Sequence, residues 1–509
     1  MIFRKKRIHK YKISKVNIMT KNSMPFESIS ELELPGFEKS CCLYGNWITI
    51  CHAAHLTGDQ SIVINNIQSV VTLLLKRYSR LRSQIDINGY RHSLKTFDYN
   101  ENQIDINLFY SIVQLNDQSS WEKIVEDKCN QNPFSNNGQT IYPLFHFMLL
   151  VNEKSSLSNN DRFHLLLFSD HCASDGYSGY ILLNDFLTLI TSSDLHEKQE
   201  PVNNEVVPFL TRLVPCNYGP IFRIMSWIRQ RLYEHEARKL AHLRIPAKQT
   251  QINEQLKLQP IRNHFLFTSS SSTLYTRLHD KCRSQNVTIN GPLFGCLLLA
   301  IHDCFPMEKN PNRYLTPFMV EVAVNMRSRF SHPSLTSQSI GCNVSIADLK
   351  LKKKLELVST PFWSLVKMCM NITNETLQSS DLRTVLHSFD YILQKERRCR
   401  QLYRYFPNGI TGEVCLSNLG KYPYSCNYQN QLQLHGLHLV NSMSIYRLTA
   451  IVFITCVGDG QLDFSLSHMI ESEEKAHDFF NRFVRLVETC ADANIDITLE
   501  QLLNSTHAN

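Results

Sequence analysis

Residues 163–190 read FHLLLFSDHCASDGYSGYILLNDFLTLI. The run from Phe163 to Phe168 is apolar apart from His164, as in a strand buried on both faces. From Tyr177 to Ile190 the stretch reads as a helix rich in apolar residues. Between the two lie His171, Asp175 and Gly176. A buried strand that turns directly into a helix is the building unit of α/β proteins. Open α/β sheets gather ligand-binding side chains at the carboxyl ends of their strands, where His171 stands.

The same alternation continues on both sides. Residues 42–56 are aromatic and β-branched and predict a strand. Residues 61–79 place apolar side chains at 63, 64, 67, 70, 71, 74 and 75, one helical face. Residues 142–151 predict a second buried strand. In the second half, 265–267 and 320–326 predict strands, and 273–284 and 291–304 predict helices, the first capped from the serines at 269–272. Runs 447–457 and 461–468 flank Gly458-Asp459-Gly460, a hairpin turn. A last helix is predicted over about 472–490. Residues 193–260 are polar without a convincing strand, and 201–260 are expected to link two halves, 31–200 and 261–509. Inside the linker, 219–240 predicts an amphipathic helix. Ile221, Ile224, Met225, Trp227 and Ile228 are expected to face the body, with Arg223, Arg229 and Arg231 outside; a helix lying on a membrane surface has the same look.

The chain has 509 residues, more than one hydrophobic core usually serves. It is 43% hydrophobic and 10% aromatic, enough for packed cores. The net charge of +7 is concentrated at one end. Residues 1–24 hold eight basic side chains and no acidic one, so 45 basic groups face 46 acidic ones elsewhere, a net of −1. Such a body carries no electrostatic footprint for nucleic acid. Residues 1–30 are read as a basic, disordered leader. The 16 cysteines include no Cys-x-x-Cys pair and sit mostly in apolar runs, which fits free buried thiols and a cytoplasmic location. No apolar run approaches the roughly 20 residues of a bilayer span, so no transmembrane segment is expected.

The chemistry expected at the turn follows from residue types. A histidine titrates near working pH and suits a general base. Asp175 can fix the turn or orient the ring, and Gly176 allows backbone geometry that a side chain would block. A satisfied turn histidine is the plain alternative. A metal site on Asp170, His171 and Asp175 is a further one, which the absence of a histidine pair at helical spacing does not favour.

The segment FSDHCASDGYSGYILLNDF resembles the active-site motif of the CoA-dependent acyltransferase superfamily, which includes chloramphenicol acetyltransferase, condensation domains and alcohol O-acetyltransferases. His171 to Ser178 is most similar to the last of these. Weaker likenesses follow in order: GFEK at 36–39, LLKRYSRLRSQI at 74–85 with Arg82, NVTINGPLFGCLLLAI at 286–301, VAVNMRSRF at 322–330 with Asn325 and Arg327, and LSNLG at 416–420. Condensation domains usually carry two adjacent histidines, where this chain has Asp170. LDFSL at 462–466 is not the plant-type Asp-Phe-Gly-Trp-Gly motif. The resemblance implies two chloramphenicol-acetyltransferase-like α/β subdomains, each a mixed sheet flanked by helices, with a channel between them. It implies His171 as general base, Asp175 paired to Arg327, and acyl-CoA (acetyl-CoA foremost) as co-substrate, with no permanently bound cofactor. The acceptor is expected to be a small hydroxyl compound, and the protein a monomer. Ser417 and Asn418 are candidates for the oxyanion or the channel wall, against a plain turn role. Tyr177 and Ser178 are expected on the acceptor side. The readings kept beside this one are a stand-alone condensation enzyme fed by a carrier protein and a non-catalytic binding protein.

Overall fold

The computed structural model describes residues 28–506, apart from 102–103, 116–119, 135–142, 153–161, 215–218, 236–242, 249–259, 308–312, 379–380, 405–408 and scattered positions between 196 and 234 and at 331, 334, 446 and 459. The basic leader therefore lies outside the described residues, as do parts of the linker and the middle residue of the predicted hairpin turn.

Two mixed six-stranded sheets organise the described residues. The first has the order β14-β15-β2-β7-β6-β5, built from β2 (Thr49–Gly58), β5 (Tyr110–Leu115), β6 (Phe145–Asn152), β7 (Arg162–Asp170), β14 (Asn427–Tyr428) and β15 (Leu432–Asn441). The second has the order β11-β10-β13-β16-β17-β8, built from β8 (His264–Ser269), β10 (Phe318–Asn325), β11 (Val344–Leu351), β13 (Ile410–Lys421), β16 (Arg447–Val457) and β17 (Gln461–His468). A small antiparallel sheet of β1 (Ser28–Glu33), β4 (Arg91–Phe97) and β3 (Ser83–Asn88) flanks the first. A two-stranded ribbon pairs β9 (Tyr314–Leu315) with β12 (Leu355–Glu356).

Each large sheet buries one face under helices. On the first, Val63, Ile67, Val70 and Leu74 of the helix Gln60–Arg77 join Tyr180, Leu183 and Phe186 of the helix Gly176–Ile190 in one core. On the second, the helices Asn290–Cys304 and Glu473–Asp492 supply much of the apolar filling. The opposite faces look toward each other. Ile50 and Leu439 from the first sheet meet Cys415, Ile451 and Phe453 from the second. The strands β14 and β15 belong to the second half of the chain yet pair into the first sheet, β15 against β2. The halves are thus interlocked by sequence as well as packed.

Several local expectations change. Residues 42–56 do not form one strand: Leu43–Gly45 is a 3-10 turn and β2 starts at Thr49. The short helix Gly36–Ser40 precedes it, and there a Cβ on Gly36 would lie 2.4 Å from the backbone of Phe389 and Asp390. The serines at 269–272 do not cap the next helix; its N-cap is Thr273, without a side-chain cap bond, while Ser269 bonds Asp463. Positions 221, 222, 224, 225, 227, 228, 231, 232 and 235 are helical. However, Ile221, Ile224, Met225, Trp227 and Ile228 face solvent, at 40–72% exposure, rather than the body. Phe222, buried, is the residue that packs inward, edge-on to His387 and Tyr391. Among the described residues no helix is long and apolar enough to cross a membrane, and every cysteine is free.

Candidate active site

β7 delivers the site. Its last residue, Asp170, is held by its own N–H to Leu144 and accepts the N–H of Cys172 at 2.8 Å, which closes a tight turn. His171 follows, its N–H bonded to Ile48. Nδ1–H of the His171 ring donates to the Ser174 carbonyl at 2.9 Å. In the neutral ring this leaves the lone pair on Nε2. Burial lowers the pKa of His171, with the Ser174 carbonyl and Asp175 acting the other way. The ring is therefore neutral at pH 7 and able to accept a proton. Phe37 packs edge-on against it at 5.8 Å, and the Cys342 thiol lies 3.6 Å from Nδ1.

Asp175 caps the helix Gly176–Ile190, accepting the Ser178 N–H at 2.8 Å. Its carboxylate also takes the Asn343 N–H at 2.8 Å and both terminal nitrogens of Arg327, at 2.8 and 2.9 Å. The two side chains are 5% and 3% exposed. Burial alone would raise the carboxyl pKa; Arg327 and the two N–H donors outweigh it and hold the group below its ordinary value. Arg327 is further held by the Ser339 carbonyl, the Ser178 hydroxyl and Asn325 Oδ1. Arg327 comes from the second half of the chain, so this pair clasps the halves beside His171. It also commits Asp175 to the guanidinium.

Gly176 does not take a left-handed backbone conformation. Its requirement is space: a Cβ there would lie 2.8 Å from Leu419 and 3.2 Å from Leu439. Its carbonyl accepts Nε2–H of buried His52 at 2.8 Å, and the His52 ring occupies the room a Cβ on Gly179 would need. Ser178 is fully buried and exchanges hydrogen bonds with both backbone groups of Gly341, so it is a structural residue and not part of the acceptor wall. Cys172 is likewise fully buried, its thiol on the Glu38 carbonyl and its pKa raised by burial. Arg82 ties the end of the helix Gln60–Arg77 to the linker through Leu75, Phe97 and Asn203.

A cavity of about 300 Å³ lies between the two sheets and reaches His171. Tyr177, Asn325, Ser417 and Asn418 line it. Ser417 and Asn418 lie within β13, paired with Phe453 and Ile454 of β16, not in a terminal turn. The Asn418 amide donates to Asn290 at 2.7 Å. Much of the remaining wall is apolar, from Ile50, Leu439, Val344, Ile346 and Phe453. Glu321 and Asp348, opposite each other across β10 and β11, also reach it, and burial raises Glu321 to about 8. Phe37, His52, Cys342 and Glu321 escape the sequence reading. Only the glycine at 179 hints at one of them, His52, since a helix glycine outside a turn marks a close neighbour.

No family model matches the sequence, and the search of curated proteins found no match to it. Solved structures share its fold. A trichothecene 15-O-acetyltransferase, TRI3 of Fusarium sporotrichioides, superposes with a TM-score of 0.68 at 11% identity, over 91% of this chain and 97% of that one. The condensation domain of the monacolin K polyketide synthase MokA superposes at 0.59 and 10% identity, over 93% and 99%. The first condensation domain of the calcium-dependent antibiotic synthetase gives 0.59 at 12%, over 93% and 99%.

Removing one member of a buried ion pair strands the other charge, at a cost of about 3–5 kcal/mol. Arg327→Met is expected to lower stability by that amount, measured by urea denaturation. Because the Asp175 pKa is depressed, its contribution is present above the ordinary carboxyl value and is lost as pH falls through the lower folded one. The Arg327→Met protein should therefore lose this acid-dependent part of its stability. An unchanged midpoint at neutral pH contradicts the clasp.

Proposed function

We propose that this chain, built on the fold of acetyltransferases and condensation domains, moves an acyl group from a CoA thioester to the hydroxyl of a small alcohol. The reading rests on one observation: a neutral histidine, fixed through Nδ1, stands in a cavity between the two sheets. In this mechanism Nε2 of His171 takes the hydroxyl proton as the acceptor oxygen attacks the thioester carbon. A new C–O bond forms and the C–S bond breaks. The thiolate leaves with the proton from Nε2–H, giving an ester and free CoA thiol. No other cofactor is required for the balance. Acetyl is the donor group favoured by the motif's likeness to alcohol acetyltransferases.

Asp175 and Arg327 act by position. They set the turn that aims His171 and take no proton themselves. Ser417 is the candidate donor to the developing oxyanion, since its neighbour Asn418 already spends an amide hydrogen on Asn290. Asn325 and Tyr177 border the same space. Asp170 speaks against a peptide-condensation role, because it stands where condensation domains usually carry the first of two adjacent histidines.

General-base help contributes about 10²–10⁴-fold. His171→Ala should lower kcat/KM for thiol release from acetyl-CoA plus an alcohol by that factor, with an unchanged melting temperature. Near-native turnover in the folded variant refutes the base. Thiol release that appears only with a carrier-bound donor favours a condensation enzyme instead. With the His171 pKa lowered, the reactive neutral form persists into acid. The acid limb of kcat/KM against pH should fall below the ordinary histidine value of 6.5. A limb above 6.5 contradicts the desolvated base.

A further inference from the structure

The helical positions among the described residues between 221 and 235 present apolar side chains to water. Ile221, Ile224, Met225, Ile228 and Leu232 recur at helical spacing on one face and are 40–72% exposed. Trp227 borders this face, 55% exposed, with the Arg231 guanidinium over its ring at 5.6 Å. The side turned to the body carries Phe222, seated on His387 and Tyr391 of the helix Asp381–Leu393. This inverts the usual arrangement, in which a surface helix hides its apolar stripe. The opposite side of the helix Asp381–Leu393 carries Val385, Phe389 and Ile392, which line the cavity.

We propose that this helix is a membrane-surface anchor that seats the protein on an anionic bilayer. Charge supports a lipid occupant. Residues 219–240 contain five basic side chains and two acidic ones, a net of +3. A tryptophan beside an arginine at the edge of an apolar stripe suits the interface between headgroups and acyl chains. Size argues against a second copy of this chain. Fifteen residues make a helix about 22 Å long and about 10 Å wide, far short of the roughly 800 Å² that each partner buries in a stable dimer. An interfacial helix needs only its own stripe. The anchor stands independently of the acyl-transfer reading.

The test is flotation of the full chain with vesicles of phosphatidylcholine alone and of phosphatidylcholine mixed with phosphatidylserine. Binding is expected to the mixed vesicles, with a blue shift in tryptophan emission. Trp47 and Trp363 are buried, and Trp121 is half-buried against His55, Phe267 and His438, so exposed Trp227 should supply the shift, and Trp227→Phe should abolish most of it while binding persists. Ile224→Ser combined with Ile228→Ser and Leu232→Ser should lower partitioning by about tenfold or more, with melting temperature unchanged. No binding to mixed vesicles, or binding that ignores the triple substitution, overturns the proposal. So does a dimer in light scattering that the triple variant dissolves, which would assign the stripe to a second copy.

Discussion

Two buried charges, Asp175 and Arg327, hold the site together. Taking each out of water costs several kcal/mol, and only a saturated set of partners offsets it. That set is present: the guanidinium meets the carboxylate with two nitrogens, two backbone N–H groups reach the same carboxylate, and carbonyl and hydroxyl oxygens take the remaining arginine protons. The pair joins β7's turn to the end of β10, one from each half of the chain. The turn's geometry, and with it the direction of the His171 ring, therefore depends on the halves being docked.

Around this clasp the packing is strict where the backbone of one element meets another. His52 reaches across to the Gly176 carbonyl and lies where a side chain at 179 would stand. Gly36 lets the first helix touch the helix Asp381–Leu393, which brings Phe37 to the His171 ring. Phe37 packs edge-on against the imidazole, and the cavity reaches the same ring. An imidazole that is desolvated but aimed by a carbonyl keeps its neutral form without losing its orientation, which is the condition the proposed proton transfer requires.

Much of this was legible along the chain because it is written in local pattern. The runs at 163–169, 447–457 and 461–468 are apolar or alternating over strand lengths, and they became β7, β16 and β17. Contacts between distant segments carry no such pattern. Nothing near residue 430 announces that β15 would join the first sheet beside β2. Ser178 looked like a cavity residue from its place after the motif, but the helix phase turns it toward Gly341. Gly176 was credited with unusual backbone freedom, when its need is room for Leu419 and Leu439. Ile221, Ile224, Met225, Trp227 and Ile228 read as a face turned to the body yet stand in solvent, because periodicity marks an apolar face without saying what covers it.

The central claim is that His171 is held neutral, with its proton on Nδ1 and its lone pair on Nε2. Nuclear magnetic resonance of the protein labelled with nitrogen-15 at histidine reports this directly. The account predicts an Nδ1–H tautomer for His171 at pH 7 that protonates only below the ordinary histidine pKa of 6.5. An Nε2–H tautomer, or a ring already charged at pH 7, would contradict it.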